Sequence, residues 1–310
     1  MPGKYKYLFG PVPSRRLGLS LGVDIVPLKT CTQNCIYCQL GINGKQTLKR
    51  AEFFPIQDVL TELEKKIAEG LNADYITLSG SGEPTLHSQI GLLIDGIRAI
   101  TNIPIAVITN GTLLTDPQVR RDCAKADVVL PSLDAGDEET FKKINCPHTD
   151  IDFFGFVEGL CKFRKEFTGQ IWLEVFLVEG INTAKEQLEK IKQLTVKIEP
   201  DKIQLNTAVR PVAKTSVTPV DSQRLAQIAK EFGPNAEAVA DYSDSLGPDK
   251  SGVKTQDILE MLKRRPCSMA DICKGLRIRE IEAVKYLQHL QKQGKITSQI
   301  TGNQTFFKAK

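Results

Sequence analysis

The chain has 310 residues, of which 41% are hydrophobic and 25% are charged, and its formal net charge is +4. This composition is ordinary for a globular protein, and the length predicts either one large domain with a small appendage or two domains. No run of about eighteen apolar residues occurs, and the opening MPGKYKYLFGPVPSRR lacks the apolar segment of a secretion signal. We therefore expect a cytoplasmic protein without a membrane span.

Apolar strand patterns alternate with amphipathic helix patterns over the first 240 residues. Strands are predicted at LGVDIVP (21–27), DYITLS, IAVITNG, DVVLPSLD, IWLEVFLV and KIQLN, and helices at PIQDVLTELEKKIAEG, SQIGLLIDGIRAI, DPQVRRDCAK and TAKEQLEKIKQL. Repeated strand-helix units imply a parallel sheet, and about six of them predict an α/β fold with an open or partial barrel. Residues that follow the strands then lie together at the carboxyl edge, where such sheets bind ligands.

Positive charge is concentrated near the end of the chain. From Ser251 onward there are twelve Lys and Arg and five Asp and Glu, a net of +7, and subtracting this from +4 leaves −3 for the preceding residues. This asymmetry predicts a separate C-terminal module, and DSLGPDKSGV is typical of a linker. We expect a large domain over residues 1–243, a linker over 244–253 and a small domain over 254–310.

Three cysteines follow the first of these predicted strands, Cys31, Cys35 and Cys38, at the spacing C-x3-C-x2-C. In a reducing compartment such a cluster indicates metal binding rather than disulfides. Three thiolates can hold three corners of an iron-sulfur cube, whereas structural zinc normally takes four ligands. From the spacing alone, a zinc site completed by a distant residue, or chance, remains an alternative. The other cysteines lack ligand-like spacing and are expected to be core or surface thiols: Cys123, Cys146, Cys161, Cys267 and Cys273.

The segment CTQNCIYC, with Tyr37 before its last cysteine, resembles the cluster motif of the radical S-adenosylmethionine (SAM) superfamily. LSGSGEPTL and ITNGTLL resemble the segments that follow the second and third strands there. FGPVPSRRLG, PSLDAGDEETFKKINCPH and LEVFLVEGIN resemble a subgroup related to the tRNA wyosine-synthesising enzymes, and the resemblance covers residues 8–212. It implies a partial (β/α)6 TIM-like barrel, a 4Fe-4S cluster on the three cysteines, SAM as cofactor, and an external electron donor of the flavodoxin or ferredoxin type.

The implied activity is reductive cleavage of SAM to a 5'-deoxyadenosyl radical, which abstracts hydrogen from an unidentified substrate, either RNA such as tRNA or a peptide. The wyosine synthases carry additional upstream cysteines for a second cluster. This chain has no cysteine before Cys31. Their pyruvate condensation is therefore not carried over to this chain.

The resemblance also implies residues that bind SAM. Glu83 is the expected acceptor for the SAM ammonium group, and Gly80 and Gly82 would let the backbone approach it closely. A turn with a solvated glutamate is the alternative. Four further residues are expected around the cofactor: Tyr37, Asn110, Ser132 and Asp134.

Local structure offers competing explanations for several of these residues. Asn110 precedes a glycine and is typical of a turn, and Asp134 is a candidate cap for a helix that starts near Asp137. Glu174 and Gly180 are candidates to flank the adenosine. A buried strand pattern explains that stretch equally well.

Five polar residues near strand ends or in loops are candidates for substrate contact: Arg15, Arg16, His148, Asn206 and Arg210. Arginine suits paired contacts with a carboxylate or phosphate, and histidine can serve as acid or base. Surface arginines that confer solubility and a structural histidine are the alternatives.

The C-terminal residues predict three helices and a hairpin. The helices are TQDILEMLKRRP, SMADICKGL and IREIEAVKYLQHLQKQG, and the hairpin strands are KITSQI and QTFFKAK around Thr301-Gly302-Asn303. Ser268 is the expected N-cap of the second helix and Gly275 its end. The predicted inner face of the third helix consists of Ile278, Ile281, Val284, Leu287 and Leu290. The pattern resembles a winged helix-turn-helix.

Basic residues of the third helix make nucleic acid a candidate partner for the module. They are Arg277, Arg279, Lys285 and Lys292. Glu280 and Glu282 share the helix and would repel phosphates, so docking of a protein or peptide is the alternative.

Two classes of function follow from these features. The first is a radical SAM enzyme whose small domain presents the substrate, for example in tRNA modification. The second is an iron-sulfur redox sensor that binds DNA. A sensor needs cluster ligands but has no use for the glutamate and ribose segments, so their retention favours the enzyme.

Overall fold

The computed structural model describes residues 5–41, 44, 46–212, 214, 216–239, 255–276, 278–302 and 304–310. The predicted linker at 244–253, the candidate Arg277 and the turn residue Asn303 lie outside the described residues. The predicted domain boundaries therefore stay predictions. Within the described ranges, no helix is both long and apolar enough to cross a bilayer.

The described strands are β1 (Leu8–Ser14), β2 (Gly18–Val23), β3 (Tyr75–Leu78), β4 (Ile105–Ile108), β5 (Val128–Leu130), β6 (Gln170–Leu177), β7 (Lys202–Thr207), β8 (Ala236–Ala238), β9 (Cys267–Ser268), β10 (Ile296–Thr301) and β11 (Gln304–Ala309). The helices are α1 (Ile56–Ala68), α2 (Ile90–Ile100), α3 (Pro117–Cys123), α4 (Glu138–Ile144), α5 (Phe153–Glu166), α6 (Lys185–Ile198), α7 (Ser222–Phe232), α8 (Thr255–Arg264), α9 (Met269–Leu276) and α10 (Glu280–Lys292). Short 3-10 helices span Pro84–Leu86 and Thr112–Thr115.

The main sheet of the described residues has eight strands in chain order from β1 to β8. Successive strands from β2 to β8 pair in parallel, as the strand-helix alternation predicts. β1 was not predicted, and it pairs antiparallel with β2. Its sequence LFGPVPS contains the residues that usually mark turns, and only an edge strand tolerates two prolines. The strand predicted at 21–27 instead ends at Val23, because the chain leaves the sheet there.

Side chains on the inner face of the curved sheet differ in polarity between the amino and carboxyl ends of the strands. Near the amino ends of the strands they form a small apolar cluster of Leu17, Ala106, Val128, Leu130 and Trp172. Strand residues two apart share a face, so Glu174 and Phe176 of β6 point to the same side as Trp172. The interior therefore becomes polar towards the carboxyl edge.

The C-terminal module contains the three predicted helices and the hairpin. β10 pairs with β11, and β9 adds a third antiparallel strand. The predicted N-cap at Ser268 is confirmed, because its hydroxyl accepts from Asp271 N at 3.1 Å and its own N–H donates to Asp271 Oδ2 at 2.9 Å. Gly275 lies in the last turn of α9, one residue before Leu276. The likeness to a winged helix-turn-helix stays a prediction.

The predicted inner face of α10 is partly wrong. The buried residues within this helix are Ala283, Leu287 and Leu290, whereas Ile281 is 71% exposed. α10 turns about 100° per residue, so Ile281 lies about 200° from Ala283.

The module packs directly on the edge of the main sheet. Val12 of β1 belongs to the same apolar cluster as Ile258 of α8 and Ile272 of α9. Arg210, after β7, forms a buried ion pair with Asp271 of α9 at 3.0 Å. These contacts fix the module beside β1.

Candidate functional site

The three cysteines lie on the loop that follows β2, here called the cluster loop (residues 24–41). Backbone hydrogen bonds anchor this loop on the segment after α4: Asn34 N donates to Cys146 O at 3.0 Å, Ile36 N to Ile144 O at 3.0 Å, and His148 N to Thr32 O at 2.9 Å. The cysteines are half-buried and form no disulfide. The loop conformation is therefore set by protein contacts around the sulfurs.

Each of the three sulfurs accepts a hydrogen bond from a side-chain N–H. The pairs are Lys29 Nζ to Cys38 Sγ at 3.0 Å, Asn110 Nδ2 to Cys31 Sγ at 3.5 Å, and Asn145 Nδ2 to Cys35 Sγ at 3.6 Å. Such donors stabilise thiolates and tune the potential of a cluster that they hold. Among the described residues, no three His, Cys, Asp or Glu side chains lie close enough together to hold a single metal ion. The donor set of three soft sulfurs, each with an N–H partner, fits an iron-sulfur cluster.

Burial raises the pKa of the Cys31 thiol to about 11 and the pKa of the Cys35 thiol well above its ordinary value. Binding of a metal to these sulfurs would therefore release protons from the thiols.

Glu83 lies at the carboxyl edge, between the loops that follow β3 and β4. It is 2% exposed. Its Oε1 accepts from the N–H and hydroxyl of Thr85 and from the hydroxyl of Thr109, and its Oε2 accepts from Asn110 N at 2.7 Å. Burial raises the pKa of Glu83, and these hydrogen bonds oppose the rise. Glu83 is not the solvated turn residue of the alternative reading. Its hydrogen bonds link the loop after β3 to the loop after β4. Its contact with SAM stays a prediction.

Gly80 and Gly82 bring the same loop close to the cluster loop. A Cβ on Gly82 would overlap the carbonyl oxygen of Thr30, and Gly80 has φ +148° with the Asp24 carboxylate where its Cβ would lie. Both glycines are therefore required by close packing of protein on protein. Their predicted approach to SAM is untested.

Asn110 connects the Glu83 loop to the cysteines. Besides its contacts to Glu83 and Cys31, its Nδ2 donates to Thr32 Oγ1 at 2.7 Å, and its Oδ1 accepts from the N–H and hydroxyl of Thr112. Gly111 follows with φ +79°, so the turn interpretation is also correct.

Asp134 is the centre of a second buried network. It is 2% exposed and accepts from Phe176 N at 2.8 Å, from Asn145 Nδ2 at 2.6 Å and from the Tyr37 hydroxyl. The Tyr37 ring stacks on Phe176 with centroids 3.9 Å apart. Burial raises the pKa of Asp134 to about 6. This network joins β6 to the cluster loop.

The alternative that Asp134 caps the following helix is wrong, because the N-cap of α4 is Asp137, whose carboxylate accepts from Thr140 N at 2.9 Å. Ser132 is half-buried just after β5, where its backbone forms an isolated parallel β-bridge with Glu174. Gly180 occupies the turn after β6 with φ +75°.

Two of the predicted substrate residues meet inside the barrel. Asn206 Nδ2 donates to Glu174 Oε1 at 2.8 Å, and Arg16 Nη1 lies 3.0 Å from the same oxygen. The Arg16 contact is an ion pair without hydrogen-bond geometry. Arg15 is half-buried beside it in the chain. Arg16, Glu174 and Asn206 thus form a polar group below the site loops.

The remaining candidates lie elsewhere. Arg210 forms its ion pair with Asp271 of the module, and the His148 side chain contacts Asp150. Among the nucleic-acid candidates, Arg279 is exposed at the N-cap of α10, and Lys285 and Lys292 are exposed on the helix itself.

Sequence reasoning missed the donors Lys29 and Asn145. Lys29 has φ +63° and lies two residues before Cys31. Asn145 is more than a hundred residues away from Cys35 and carries no local signal.

The described residues form an α/β sheet of mostly parallel strands with three free thiols at its carboxyl edge, an arrangement that fits an iron-sulfur site. The family model described as the Radical SAM superfamily matches residues 25–195. The chain belongs to this superfamily and, by its relatives, to the UPF0026 proteins. Radical SAM enzymes bind a 4Fe-4S cluster and SAM, so this chain is an enzyme with these two cofactors, and members generally need an external reductant.

Known relatives agree with this membership. A UPF0026 protein of Methanocaldococcus jannaschii is 34% identical over 226 residues, covering 72% of this chain and 70% of that protein. A protein of Brachyspira hyodysenteriae named GTPase Obg is 40% identical over 300 residues, covering 96% of this chain, and the chain spans 44% of its length.

The solved structure of TYW1 with a lysine-pyruvate adduct bound has a TM-score of 0.55 at 19% identity, covering 72% of this chain and 75% of that one. At that identity the likeness concerns the fold alone. It confirms the predicted partial TIM-like barrel.

Proposed function

We propose that the chain cleaves SAM reductively and removes a hydrogen atom from a substrate held inside the barrel, with Cys31, Cys35 and Cys38 as the cluster ligands. A 4Fe-4S cluster held by these three cysteines would supply the electron for reductive cleavage of a carbon-sulfur bond of SAM, which yields methionine and a 5'-deoxyadenosyl radical. The protein residues bind, orient and exclude water.

The observation that carries this proposal is the set of N–H donors on the three sulfurs. Lys29 belongs to the cluster loop itself, whereas Asn110 and Asn145 come from two distant segments, and all three donate to sulfurs of this loop at the carboxyl edge. A chance cysteine cluster has no need of such donors. They instead match the requirement of a buried, negatively charged cluster.

The cofactor region would lie between the two buried networks. Glu83 and Asn110 set the loops on one side, and Asp134 with Tyr37 sets the other. Gly80, Gly82 and Ser132 stand at the same edge, where backbone groups and a hydroxyl can meet the amino acid and ribose parts of SAM.

The substrate would contact the polar group of Arg16, Glu174 and Asn206, which points into the barrel below those loops. A guanidinium without an aligned hydrogen bond is suited to a carboxylate or phosphate. We propose RNA, such as tRNA, or a peptide as the substrate.

The test is anaerobic incubation of cluster-reconstituted protein with SAM and dithionite, followed by quantification of 5'-deoxyadenosine with and without tRNA or peptide. We expect slow formation without substrate and faster formation with the correct one. The control is a variant with Ala at Cys146, Cys161 and Cys273, which should retain the basal rate. If the reconstituted protein binds iron but forms no 5'-deoxyadenosine, the redox-sensing regulator becomes the better reading.

A further inference from the structure

A cleft of about 580 Å³ separates the cluster loop from the C-terminal module. One wall is formed by both ends of the cluster loop, namely Asp24 with residues 26–28 and residues 39–40, together with Ser81 after β3. The opposite wall comes from the end of α8, residues 263–265, and the end of β11, residues 308–310. This junction cleft therefore opens at the carboxyl edge of the sheet, beside the loop that carries the three cysteines.

The cleft is strongly basic. Six cationic side chains line it: Lys6, Lys263, Arg264, Arg265, Lys308 and Lys310. Two carboxylates, Asp24 and Glu260, line it as well, so six positive and two negative charges give a net of +4.

The two carboxylates are already engaged. Glu260 accepts from Lys263 Nζ at 2.8 Å, and Arg264 lies 3.6 Å from Glu260 and 3.8 Å from Asp24. Lys308 and Lys310 form no ion pair with any residue that the structure describes, and both are exposed. The carboxylates of the cleft therefore leave an excess of positive charge that they do not neutralise.

Apolar surface lies beside these cations. Val26, Leu28, Leu40 and Phe54 line the cleft, and Leu28 is 68% exposed. The Lys6 ammonium lies 5.4 Å from the centre of the Phe54 ring. Nucleic-acid single strands are bound by this combination, because the bases pack on apolar and aromatic groups while the phosphates meet Lys and Arg.

The shape favours a strand over the other anions. The volume lies in the range of small-molecule sites, about 300 to 1,000 Å³, and thus accommodates nucleotide units. A duplex keeps its bases inside and would leave the apolar wall unused. An acidic protein would meet the cations but would not fill the concave apolar wall.

We propose that the junction cleft binds the phosphodiester backbone of a nucleic-acid single strand and holds it at the edge where the cluster loop lies. The inference rests on the proposed function, since it narrows the substrate class to nucleic acid. It also moves the expected binding surface from the outer face of α10 to the cleft. The docking of the module on β1 then builds one wall of the site.

The experiment measures binding of a fluorescein-labelled 12-nucleotide oligouridylate to full-length, cluster-reconstituted protein by anisotropy at several salt concentrations. The cleft variant carries Lys308→Glu and Lys310→Glu. We expect its affinity to fall at least about tenfold and its salt slope to decrease by about 1.4, because two phosphate contacts are lost at about 0.7 each.

Two reference variants make the same change of charge elsewhere. The first carries Lys185→Glu and Lys230→Glu, at exposed positions of α6 and α7. We expect its affinity for the oligonucleotide to be within about twofold of that of the parent. Lys285→Glu with Lys292→Glu lies on α10. A greater loss there than in the cleft variant would overturn the inference and return the site to the helix face. Iron content and melting temperature of all variants establish that they are folded.

Three competitors identify the ligand. Oligodeoxyuridylate of the same length distinguishes RNA from DNA, and tighter binding of either strand fits the proposal. If poly-L-glutamate competes equally well, the proposal is overturned in favour of an acidic protein partner. If uridine monophosphate binds as tightly as the oligonucleotide, the proposal of a bound strand is overturned in favour of a pocket for a single nucleotide. Formation of 5'-deoxyadenosine by the parent protein, measured without oligonucleotide, tests the proposed function separately.

Discussion

The carboxyl edge of the barrel and the surface of the C-terminal module treat charge in opposite ways. At the edge, Glu83 and Asp134 are each 2% exposed, and neighbouring loops of the same chain supply their hydrogen-bond donors. On the module, Lys308 and Lys310 are exposed and have no ionic partner among the described residues. The buried carboxylates of the first region thus have all their hydrogen-bond donors within the chain. The exposed lysines of the second region are available to another molecule.

This difference bears on how each region works. A buried carboxylate without donors costs several kcal/mol, so its network must form as the protein folds. The loops around the cysteines are consequently held by hydrogen bonds within the chain itself. Exposed cations are stable without partners and contribute little to folding. Substitutions should therefore affect folding and cofactor binding at the edge, and ligand binding at the module.

The largest expected effect comes from removing the cluster ligands. Cys31→Ala, Cys35→Ala and Cys38→Ala together should abolish bound iron and the broad visible absorbance of anaerobically reconstituted protein, because no sulfur remains at the loop. Iron analysis and absorption spectroscopy check this. The matched control has Ala at Cys146, Cys161 and Cys273 and should keep its iron. Four irons retained in the first variant would refute the assignment.

A substitution on the module should affect folding where the module contacts the main sheet, because Asp271 there forms a buried ion pair with Arg210. Asp271→Asn should lower the free energy of unfolding by about 3 to 5 kcal/mol, since Arg210 loses its charged partner. Denaturant titration measures this value. Glu280→Gln on exposed α10 should change it by less than about 0.5 kcal/mol. An Asp271→Asn variant as stable as the parent would show that the pair does not hold the module.

Periodicity and motif spacing predict much of this molecule. The parallel sheet, the loop of three cysteines after β2 and the elements of the module follow from local patterns, because alternation and helical spacing are local properties. Contacts between distant segments do not. Asn145 reaches Cys35, Arg210 pairs with Asp271, and β1 forms despite its prolines because an edge position tolerates them.

A smaller effect is expected where the edge network meets the cofactor. Glu83→Ala leaves the donors of Thr85, Thr109 and Asn110 without an acceptor and disorders the loop beside Cys31. We expect SAM affinity to fall about tenfold to a hundredfold, the equivalent of one hydrogen bond to a charged group. Calorimetry on cluster-loaded protein measures this, with Glu64→Ala on α1 as control. Unchanged affinity with intact iron would remove Glu83 from the SAM site.

The smallest expected effect concerns the pH dependence of stability and the buried imidazole of His87, near the carboxyl edge of the barrel. His87 is fully buried after the 3-10 helix, where its Nε2 faces Phe54 O at 2.9 Å and its Nδ1 accepts from Gln89 N at 3.2 Å. Burial lowers its pKa, and Arg50 lowers it further, while the Phe54 carbonyl and Glu52 oppose the shift. The folded protein therefore holds this imidazole neutral.

The direction of the pH effect follows from proton binding. The unfolded chain protonates His87 near pH 6.5, whereas the folded chain does so only at lower pH. The contribution to stability is complete above pH 6.5 and is lost as the pH falls through the lowered folded pKa. His87→Gln should therefore flatten the acid side of the stability curve, by at most about 1.4 kcal/mol per pH unit. Denaturant titrations of parent and variant between pH 5 and 7.5 measure the difference, in which the contribution of the cluster cancels. His289→Gln, at an exposed site of α10, is the matched control, and equal slopes for all three proteins would mean that the edge loop opens to solvent as the module surface does.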